Sequence, residues 1–267
     1  MNSARRVLLE PAFLLHQRDY RDSSRIIEFF TRDCGRVCLF AKGVRRAGGS
    51  LAAVLQPFVP LLLSWSGPGD GGTLTAAELT GPPLALPRPA LMSAFYLNEL
   101  VLRLVAREDP HPDIHESYTL ALAGLADPGG GSRALRLFEK RLLDALGLGL
   151  DYARVAGSGE PVQPGAYYHV RAERGVVCIA AQPDPATDYR GEELLSLAAE
   201  ELADAASLAA AKRLLRSALA GPLDGRELTT RTVARAVRAD RAGRARPAGA
   251  TDTGSTAEPA GKEGSSR

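Results

Sequence analysis

The stretch Gly35-Arg36-Val37-Cys38-Leu39-Phe40-Ala41-Lys42-Gly43-Val44-Arg45-Arg46 decides the fold of the first part of the chain. A turn glycine opens an alternating β-type run, and this run leads directly into a loop broken by a second glycine. The stretch carries four cationic side chains, and arginine in particular binds phosphate oxygens through a bidentate fork. We expect either a phosphate-binding hairpin at the rim of a sheet or a hairpin whose charges are only solvated.

Short β-type runs separated by turn signals continue on both sides of this hairpin, from residue 12 to residue 80. The clearest turns are Asp33-Cys34-Gly35 and the glycine-rich run 67–72. Five such runs in about 70 residues are typical of a small Greek-key barrel such as the OB-fold, a frequent oligonucleotide binder. The sequence therefore predicts an OB-fold-like barrel over residues 1–82, with strands at Ala12–Arg18, Arg25–Thr31, Arg36–Ala41, Phe58–Trp65 and Thr73–Glu78.

Helical periodicity replaces this pattern after a proline-rich linker at residues 81–89. In the helix predicted at Ser132–Leu146, the large apolar side chains share one face, Ser132 is the expected N-cap and Gly147 the expected terminator. Residues 88–241 are thus predicted as a mainly α-helical domain, and the fold class as α+β. The other predicted helices are Pro89–Val105, Pro112–Ala126, Gly191–Leu202, Ser207–Leu219 and Thr229–Arg241.

Two segments depart from the helical pattern. Residues 151–188 are rich in proline and predict a small irregular insertion with a β-type pair at Ala166–Arg171 and Val176–Ala180. Residues 247–267 have no apolar period, which predicts a disordered tail.

Charge is distributed unevenly, although the 267 residues carry a net charge of only +2. Residues 1–46 hold ten Lys and Arg against five Asp and Glu, and residues 212–246 hold ten against three. Two separated basic regions favour a polyanionic partner. No apolar run is long enough to span a membrane, and three cysteines cannot all pair, so we expect a cytoplasmic protein.

Candidate catalytic and metal-binding patterns are weak. His111 and His115 lie four residues apart at a helix start, which suits either a metal site or a solvated helix entrance. Cys34 and Cys38 flank the first hairpin turn, where packing is the simpler role. The glycine-rich run 67–72 lacks the lysine and the following helix that a phosphate-cradling glycine loop needs. We therefore predict no metal, no cofactor and no enzymatic activity.

The motifs of this chain, taken in order, resemble those of RecO, a family of bacterial recombination mediators and DNA repair proteins. The hairpin itself and the following Leu55-Gln56-Pro57-Phe58-Val59-Pro60-Leu61 carry the resemblance first. Further similar motifs, spread between residues 12 and 235, are Ala12-Phe13-Leu14-Leu15-His16, Tyr20-Arg21-Asp22-Ser23-Ser24, Phe95-Tyr96-Leu97-Asn98-Glu99-Leu100, Leu135-Arg136-Leu137-Phe138-Glu139, Ala211-Lys212-Arg213 and Gly225-Arg226-Glu227-Leu228-Thr229-Thr230-Arg231.

The resemblance implies a nucleoid-associated protein that binds single- and double-stranded DNA and anneals complementary strands. It also implies that the protein works with RecR and helps RecA replace the single-stranded-DNA-binding protein on gapped DNA. Phe40 or Trp65 is a candidate for stacking on bases, and both are also candidates for the barrel core. The residues expected to contact phosphates are Arg36, Lys42, Arg45 and Arg46, followed by Arg18 and Arg25.

The family is also recruited by the acidic, phenylalanine-terminated tail of the single-stranded-DNA-binding protein. Helix Ser132–Leu146 is the expected docking element, since its apolar stripe lies beside several cations. Arg136 is the first-ranked contact because it lies within the family motif at the edge of this stripe. The expected apolar residues are Leu135, Phe138 and Leu142, and the expected cations are Arg133, Arg136, Lys140 and Arg141. The alternative is that the stripe is wholly core and the cations are only solvated.

The chain departs from the resembled family at two places. Residues 47–53 contain no Lys or Arg where relatives often have them, so the basic helix near the C-terminus is a candidate for compensation. Some relatives carry a four-cysteine zinc site in the insertion, but only Cys178 is present here, which predicts an insertion without zinc. A protein adaptor that acts through the helical domain without binding DNA, or a metal-dependent nuclease built on the two histidines, remains as an alternative function.

Overall fold

The computed structural model describes residues 6–44, 50–179 and 182–244. Five strands form a closed barrel in the order β1-β2-β3-β5-β4, with β3 and β5 parallel and the other neighbours antiparallel. This architecture confirms the predicted OB-fold-like barrel. The strands are β1 (Arg6–Tyr20), β2 (Ser24–Thr31), β3 (Arg36–Ala41), β4 (Leu61–Ser66) and β5 (Asp70–Leu79).

The barrel strands follow the predicted positions, and β3 has the predicted bounds. The longest strand, β1, runs beyond its predicted ends and contains two register shifts, which bend it so that it pairs with both β2 and β4. The predicted start of β4 at Phe58 is wrong, because the backbone of Phe58 has a φ of 64°, outside the β region. A short helix, α1 (Ser50–Val54), precedes β4 and was not predicted.

Side chains that alternate along the strands fill the barrel. Ile27 and Phe29 of β2, with Val37 and Leu39 of β3, are buried in this core. Phe13 and Leu15 of β1 and Phe30 of β2 point to the opposite face of the sheet and pack against the helices. The barrel therefore has one core inside and contributes to a second core shared with the helical part of the chain.

The helical part contains α2 (Arg88–Leu104), α3 (Pro112–Ala126), α4 (Gly131–Ala145), α5 (Gly191–Ala198), α6 (Ala205–Ala218) and α7 (Thr229–Arg244). The predicted stop at Gly147 is confirmed by its left-handed φ of 72°, which glycine adopts readily after a helix. The predicted N-cap at Ser132 is wrong, since α4 begins one residue earlier, after Gly130. Helix α5 ends before the predicted Leu202, because Glu200 and Leu202 both have positive φ.

The insertion forms a small three-stranded sheet in the order β7-β6-β8. Its strands are β6 (Tyr167–Arg171), β7 (Gly175–Cys178) and β8 (Asp188–Arg190). The predicted β-type pair is confirmed, although its last residue, Ala180, lies outside the described residues. Tyr168, Val176 and Tyr189 are buried and belong to the same core as the helices. Apolar packing therefore anchors the insertion to the helical domain.

The barrel and the helical domain are joined by buried polar contacts as well as by this shared core. Asn98 of α2 donates a hydrogen bond of 2.9 Å to the main-chain oxygen of Leu15, and accepts one from the hydroxyl of Tyr118. Gly35 approaches Asp109 so closely that a Cβ atom at residue 35 would lie 2.3 Å from its carbonyl oxygen. The turn glycine at the start of the decisive hairpin is thus required by the domain contact and by its φ of 71°.

No helix within the described ranges is long and apolar enough to cross a membrane. The segment predicted as a disordered tail, residues 247–267, lies outside the described residues.

Candidate nucleic-acid interface and helical-domain pocket

The outer face of strands β1 to β3 carries a cluster of aromatic and cationic side chains. The rings of Tyr20 and Phe40 lie 5.4 Å apart, centroid to centroid, at an angle of 60°. The guanidinium of Arg21 lies 5.2 Å from the centre of the Tyr20 ring. Arg18 is exposed on the same face, opposite Ile26, which in turn is opposite Phe40 on β3. We call Arg18, Tyr20, Arg21 and Phe40 the barrel patch.

This face exists because outward side chains on adjacent strands fall in register. His16 pairs with Glu28 on β2, which pairs with Cys38 on β3, one step along the strands from the barrel patch. These residues, with Arg18, Ile26 and Arg107, line a groove of about 260 Å³. Burial, then the charge of Glu28, raises the pKa of Cys38, so its thiol stays protonated. The groove is therefore a polar extension of the patch without a reactive thiolate.

The predicted phosphate-binding residues occupy different environments. Arg18 and Lys42 are exposed and have no ion-pair partner among the described residues. Arg25 is half-buried and donates to Asp19 at 3.1 Å and to Gln17 at 3.2 Å, so part of its charge is already compensated. Arg45 and Arg46 lie outside the described residues.

Arg36 lies at the domain junction and not on the exposed patch. Its side chain is 12% exposed and donates to the main-chain oxygens of Leu102, at 2.5 Å, and Val105, at 2.7 Å. Its second terminal nitrogen donates to the Glu28 carboxylate at 3.4 Å. Because these contacts engage both terminal nitrogens of the guanidinium, Arg36 is not part of the candidate DNA surface.

The two candidates for base stacking, Trp65 and Phe40, lie in different environments. Trp65 is 1% exposed and lies in the barrel core, so it has no face for a base. Phe40 lies on the outer face beside Tyr20, which is 36% exposed. Tyr20 and Arg21 were missed as site residues, although both fall within the turn motif that carried the family resemblance. Arg107 was also missed, and no local signal marks it because it reaches Glu28 and Asp70 from the helical domain.

A second candidate site is a pocket of about 550 Å³ on the helical domain, which we call the helical pocket. Its apolar lining comes from Met92 and Tyr96 of α2, Leu135 of α4 and Val237 of α7. Six cations line it and no acidic residue does, within the described part of the chain. These cations are Arg88, Arg136, Lys212, Arg216, Arg231 and Arg235. Arg136 pairs with Glu139 and Arg235 with Glu227, both outside this lining, so the pocket keeps an excess of positive charge. The combination of an apolar surface and excess positive charge suits an anionic ligand with an apolar group.

A chain of hydrogen bonds runs beneath the helical pocket. Arg136 donates to Oε1 of Glu139 at 2.7 Å, and the hydroxyl of Tyr96 donates to the same oxygen at 2.6 Å. Arg231 donates to the Tyr96 hydroxyl at 3.1 Å, with its guanidinium 5.3 Å from the centre of the ring. Burial raises the pKa of Glu139 against the opposing charge of Arg136, and burial followed by Glu139 raises that of Tyr96. The hydroxyl therefore remains a donor at neutral pH.

Only part of the predicted docking helix faces this pocket. Arg136 and Leu135 line it. Phe138 is 1% exposed and belongs to the core, and Leu142 is fully buried. The predicted cations Arg133, Lys140 and Arg141 contact the segment that follows α5: Arg133 donates to the main-chain oxygens of Glu200 and Glu201, and the other two pair with the Glu200 carboxylate. These three stabilise the packing of α4.

The histidine pair does not converge on a common site. His115 is buried against the rings of Phe13 and Phe30, whereas His111 contacts Asp109 at 3.0 Å near the surface. Within residues 6–44, 50–179 and 182–244, no group of three or more His, Cys, Asp or Glu side chains is placed to hold a metal ion. His169 of the insertion contacts Asp188 at 2.9 Å.

Comparisons with known proteins match most of the chain to one family. Residues 6–83 match the family described as "Recombination protein O N terminal", and residues 88–232 match "Recombination protein O C terminal". A protein of Nitrosococcus oceani named DNA repair protein RecO is 45% identical over 226 residues, which cover 85% of this chain and 92% of the relative. Proteins of the same name from Methylococcus capsulatus and Haemophilus influenzae are 43% and 42% identical over 230 residues, covering 86% and 84% of this chain and 94% and 97% of the relatives. The chain belongs to the RecO family.

Proposed function

We propose that the protein is a DNA repair and recombination mediator that binds single- and double-stranded DNA and anneals complementary strands. The observation that carries this proposal is the barrel patch, in which Tyr20 and Phe40 offer ring faces between exposed cations. Stacking on aromatic rings together with phosphate neutralisation is how sequence-independent single-strand binding works. The relatives' name, DNA repair protein RecO, supports the same function.

Annealing by such a surface needs no covalent chemistry. Two strands repel each other through their phosphates, and bound cations lower this repulsion as counterions are released. We propose that the exposed Arg18 and Lys42 do so on the barrel, with Arg25 as a weaker contributor because Asp19 already pairs with it. Arg45 and Arg46 follow Lys42 in the chain and extend the same proposed contact. We accordingly propose a protein without catalytic residues, metal or cofactor.

The helical pocket supplies the proposed protein contact. An acidic peptide that ends in phenylalanine, such as the tail of the single-stranded-DNA-binding protein, has the chemistry that the pocket complements. Its ring fits against Leu135, Met92 and Tyr96, its terminal carboxylate against Arg136 and Arg231, and its acidic residues against the outer cations. We propose Arg136 for the carboxylate contact, as the sequence predicted, and Arg231 in place of Arg133 and Lys140 as the second cation.

Two separate sites explain how one protein serves as a mediator. The pocket would bring the protein to DNA coated with the single-stranded-DNA-binding protein, and the barrel patch would bind the strand itself. We propose that this arrangement, with RecR as the partner protein, helps RecA to load on gapped DNA of the nucleoid in the cytoplasm.

Fluorescence anisotropy with a labelled single strand at two salt concentrations tests the proposal, together with annealing of complementary oligonucleotides. We expect binding that weakens at the higher salt concentration, and annealing that is faster with the protein than without it. No single-strand binding at the lower salt concentration, with the peptide still bound by the helical pocket, would contradict DNA binding and favour the alternative of a pure protein adaptor.

A further inference from the structure

The Tyr96 hydroxyl, together with the Glu139 carboxylate, connects the two cations proposed to receive a terminal carboxylate. It accepts a hydrogen bond from Arg231 of α7 and donates one to Glu139, which also accepts from Arg136 of α4. Tyr96 itself is buried on α2, between the two helices that carry these arginines. The positions of both guanidinium groups in the helical pocket are thus linked through two oxygen atoms, the Tyr96 hydroxyl and Oε1 of Glu139.

Helix α2 fixes α7 at a second point, one turn further along. The carboxylate of Glu99 accepts hydrogen bonds from the main-chain nitrogens of Thr229, at 2.8 Å, and Thr230, at 2.9 Å. It therefore satisfies the unpaired N–H groups that begin α7. With the first turn of α7 held in this way, the contact with Tyr96 holds the Arg231 side chain at the pocket.

We propose that Tyr96 is a positioning residue that gives the helical pocket its selectivity for a free C-terminal carboxylate. This inference rests on the proposed function of the pocket as a site for an acidic peptide. A carboxylate has two oxygens and can accept from two guanidinium groups only when these lie at a set separation. An amidated C-terminus lacks the charge and has an N–H₂ donor in place of one acceptor oxygen, so it gains less from the arranged pair.

The test uses the full-length protein and two short acidic peptides that end in phenylalanine, one with a free carboxylate and one amidated. Binding is measured by isothermal titration calorimetry for the wild type, for Tyr96→Phe and for Arg231→Lys. Tyr96→Phe keeps the ring and removes only the hydroxyl, and Arg231→Lys keeps the charge and removes the fork. Tyr167→Phe, which changes an exposed tyrosine of the insertion sheet, is the matched control.

We expect the wild type and Tyr167→Phe to bind the peptide with the free carboxylate roughly tenfold or more tightly than the amidated peptide. A tenfold ratio corresponds to about 1.4 kcal/mol of binding free energy. Tyr96→Phe and Arg231→Lys should lose most of this preference, with little change in the affinity for the amidated peptide. Single-strand binding by the barrel patch should stay at the wild-type level, which verifies the fold of each variant.

Three outcomes overturn the inference. If both variants keep the wild-type preference, Tyr96 does not position the cations. If Tyr96→Phe weakens the binding of both peptides equally, the hydroxyl maintains the pocket as a whole and does not select the carboxylate. If the wild type binds neither peptide, the proposed function of the pocket fails, and the inference fails with it.

Discussion

The guanidinium of Arg36 in β3 donates a hydrogen bond of 2.7 Å to the main-chain oxygen of Val105, the residue that follows α2. The neighbouring oxygen of Leu102 accepts a second bond from the same nitrogen. Carbonyl groups at a helix C-terminus have no partner within the helix and carry partial negative charge. Arg36 therefore caps α2 from the barrel and holds the two domains together.

Replacing Arg36 with methionine should destabilise the protein by about 2–4 kcal/mol, since it leaves buried acceptors unsatisfied. The measurement is equilibrium unfolding in urea, with Arg32→Met as a matched control, because Arg32 is exposed and pairs with its neighbour Asp33. An unchanged midpoint for Arg36→Met would show that solvent satisfies these carbonyls equally well.

Replacing Arg18 and Lys42 with alanine should weaken single-strand binding to a similar extent for all sequences, because phosphates carry no sequence information. The slope of log affinity against log salt concentration should flatten by roughly 0.7 for each phosphate contact that is lost. Anisotropy titrations at several salt concentrations measure this slope. Arg171→Ala, in the insertion sheet, is the control and should leave the slope unchanged. A wild-type slope for the Arg18→Ala/Lys42→Ala double variant would show that the two cations face away from DNA.

Phe40→Leu should weaken single-strand binding by about 1–3 kcal/mol, the usual worth of one base stacked on an aromatic ring. Leucine keeps an apolar side chain on this face of β3 but has no ring. The salt dependence should stay at its wild-type value, because no cation is removed, and this separates the variant from Arg18→Ala. Tyr167→Leu is the control. Wild-type affinity for Phe40→Leu would indicate that Phe40 serves only to pack against Tyr20.

His115 should make the protein less stable in acid. Burial, followed by the charge of Arg32, lowers the pKa of His115 from 6.5 to about 4, with Asp33 opposing the shift. The unfolded chain therefore binds a proton below pH 6.5 that the folded protein does not bind until about pH 4, so stability falls as the pH drops through this window.

Between pH 7 and pH 4.5, the unfolding free energy of His115→Leu should fall by about 2–3 kcal/mol less than that of the wild type. Urea unfolding at both pH values measures the difference, and His16→Gln, which changes an exposed histidine, is the control. If the wild type and His115→Leu lose the same stability over this range, His115 is protonated in the folded protein at pH 4.5.

The sequence was sufficient for the barrel because its signals are local. Alternating side chains and turn glycines define β3 with its observed bounds, and Gly147 marks the end of α4. Arg36 could not be placed in the same way. It looks like the other cations of the hairpin, and its carbonyl partner lies 69 residues further along the chain.

The helical pocket shows the same limit. Periodicity identified the apolar stripe of α4 but not which cations beside it are free, because Glu200, which pairs with Arg141, lies 59 residues away. The second cation of the pocket, Arg231, meets Tyr96 across 135 residues. Arg136 was identified because the family motif marked it, whereas Tyr96 and Arg231 required the packing of α7 on α2.

Photochemical cross-linking tests most directly whether single-stranded DNA binds the outer face of β1 to β3, as we propose. A 5-iodouracil oligonucleotide, irradiated on the full-length protein at low salt concentration, forms covalent bonds preferentially with aromatic side chains in contact with bases. The cross-linked residues are then identified by mass spectrometry. We expect adducts at Tyr20 or Phe40 that are lost in the Tyr20→Leu/Phe40→Leu double variant. Adducts confined to residues 88–244, unchanged in that variant, would contradict the account.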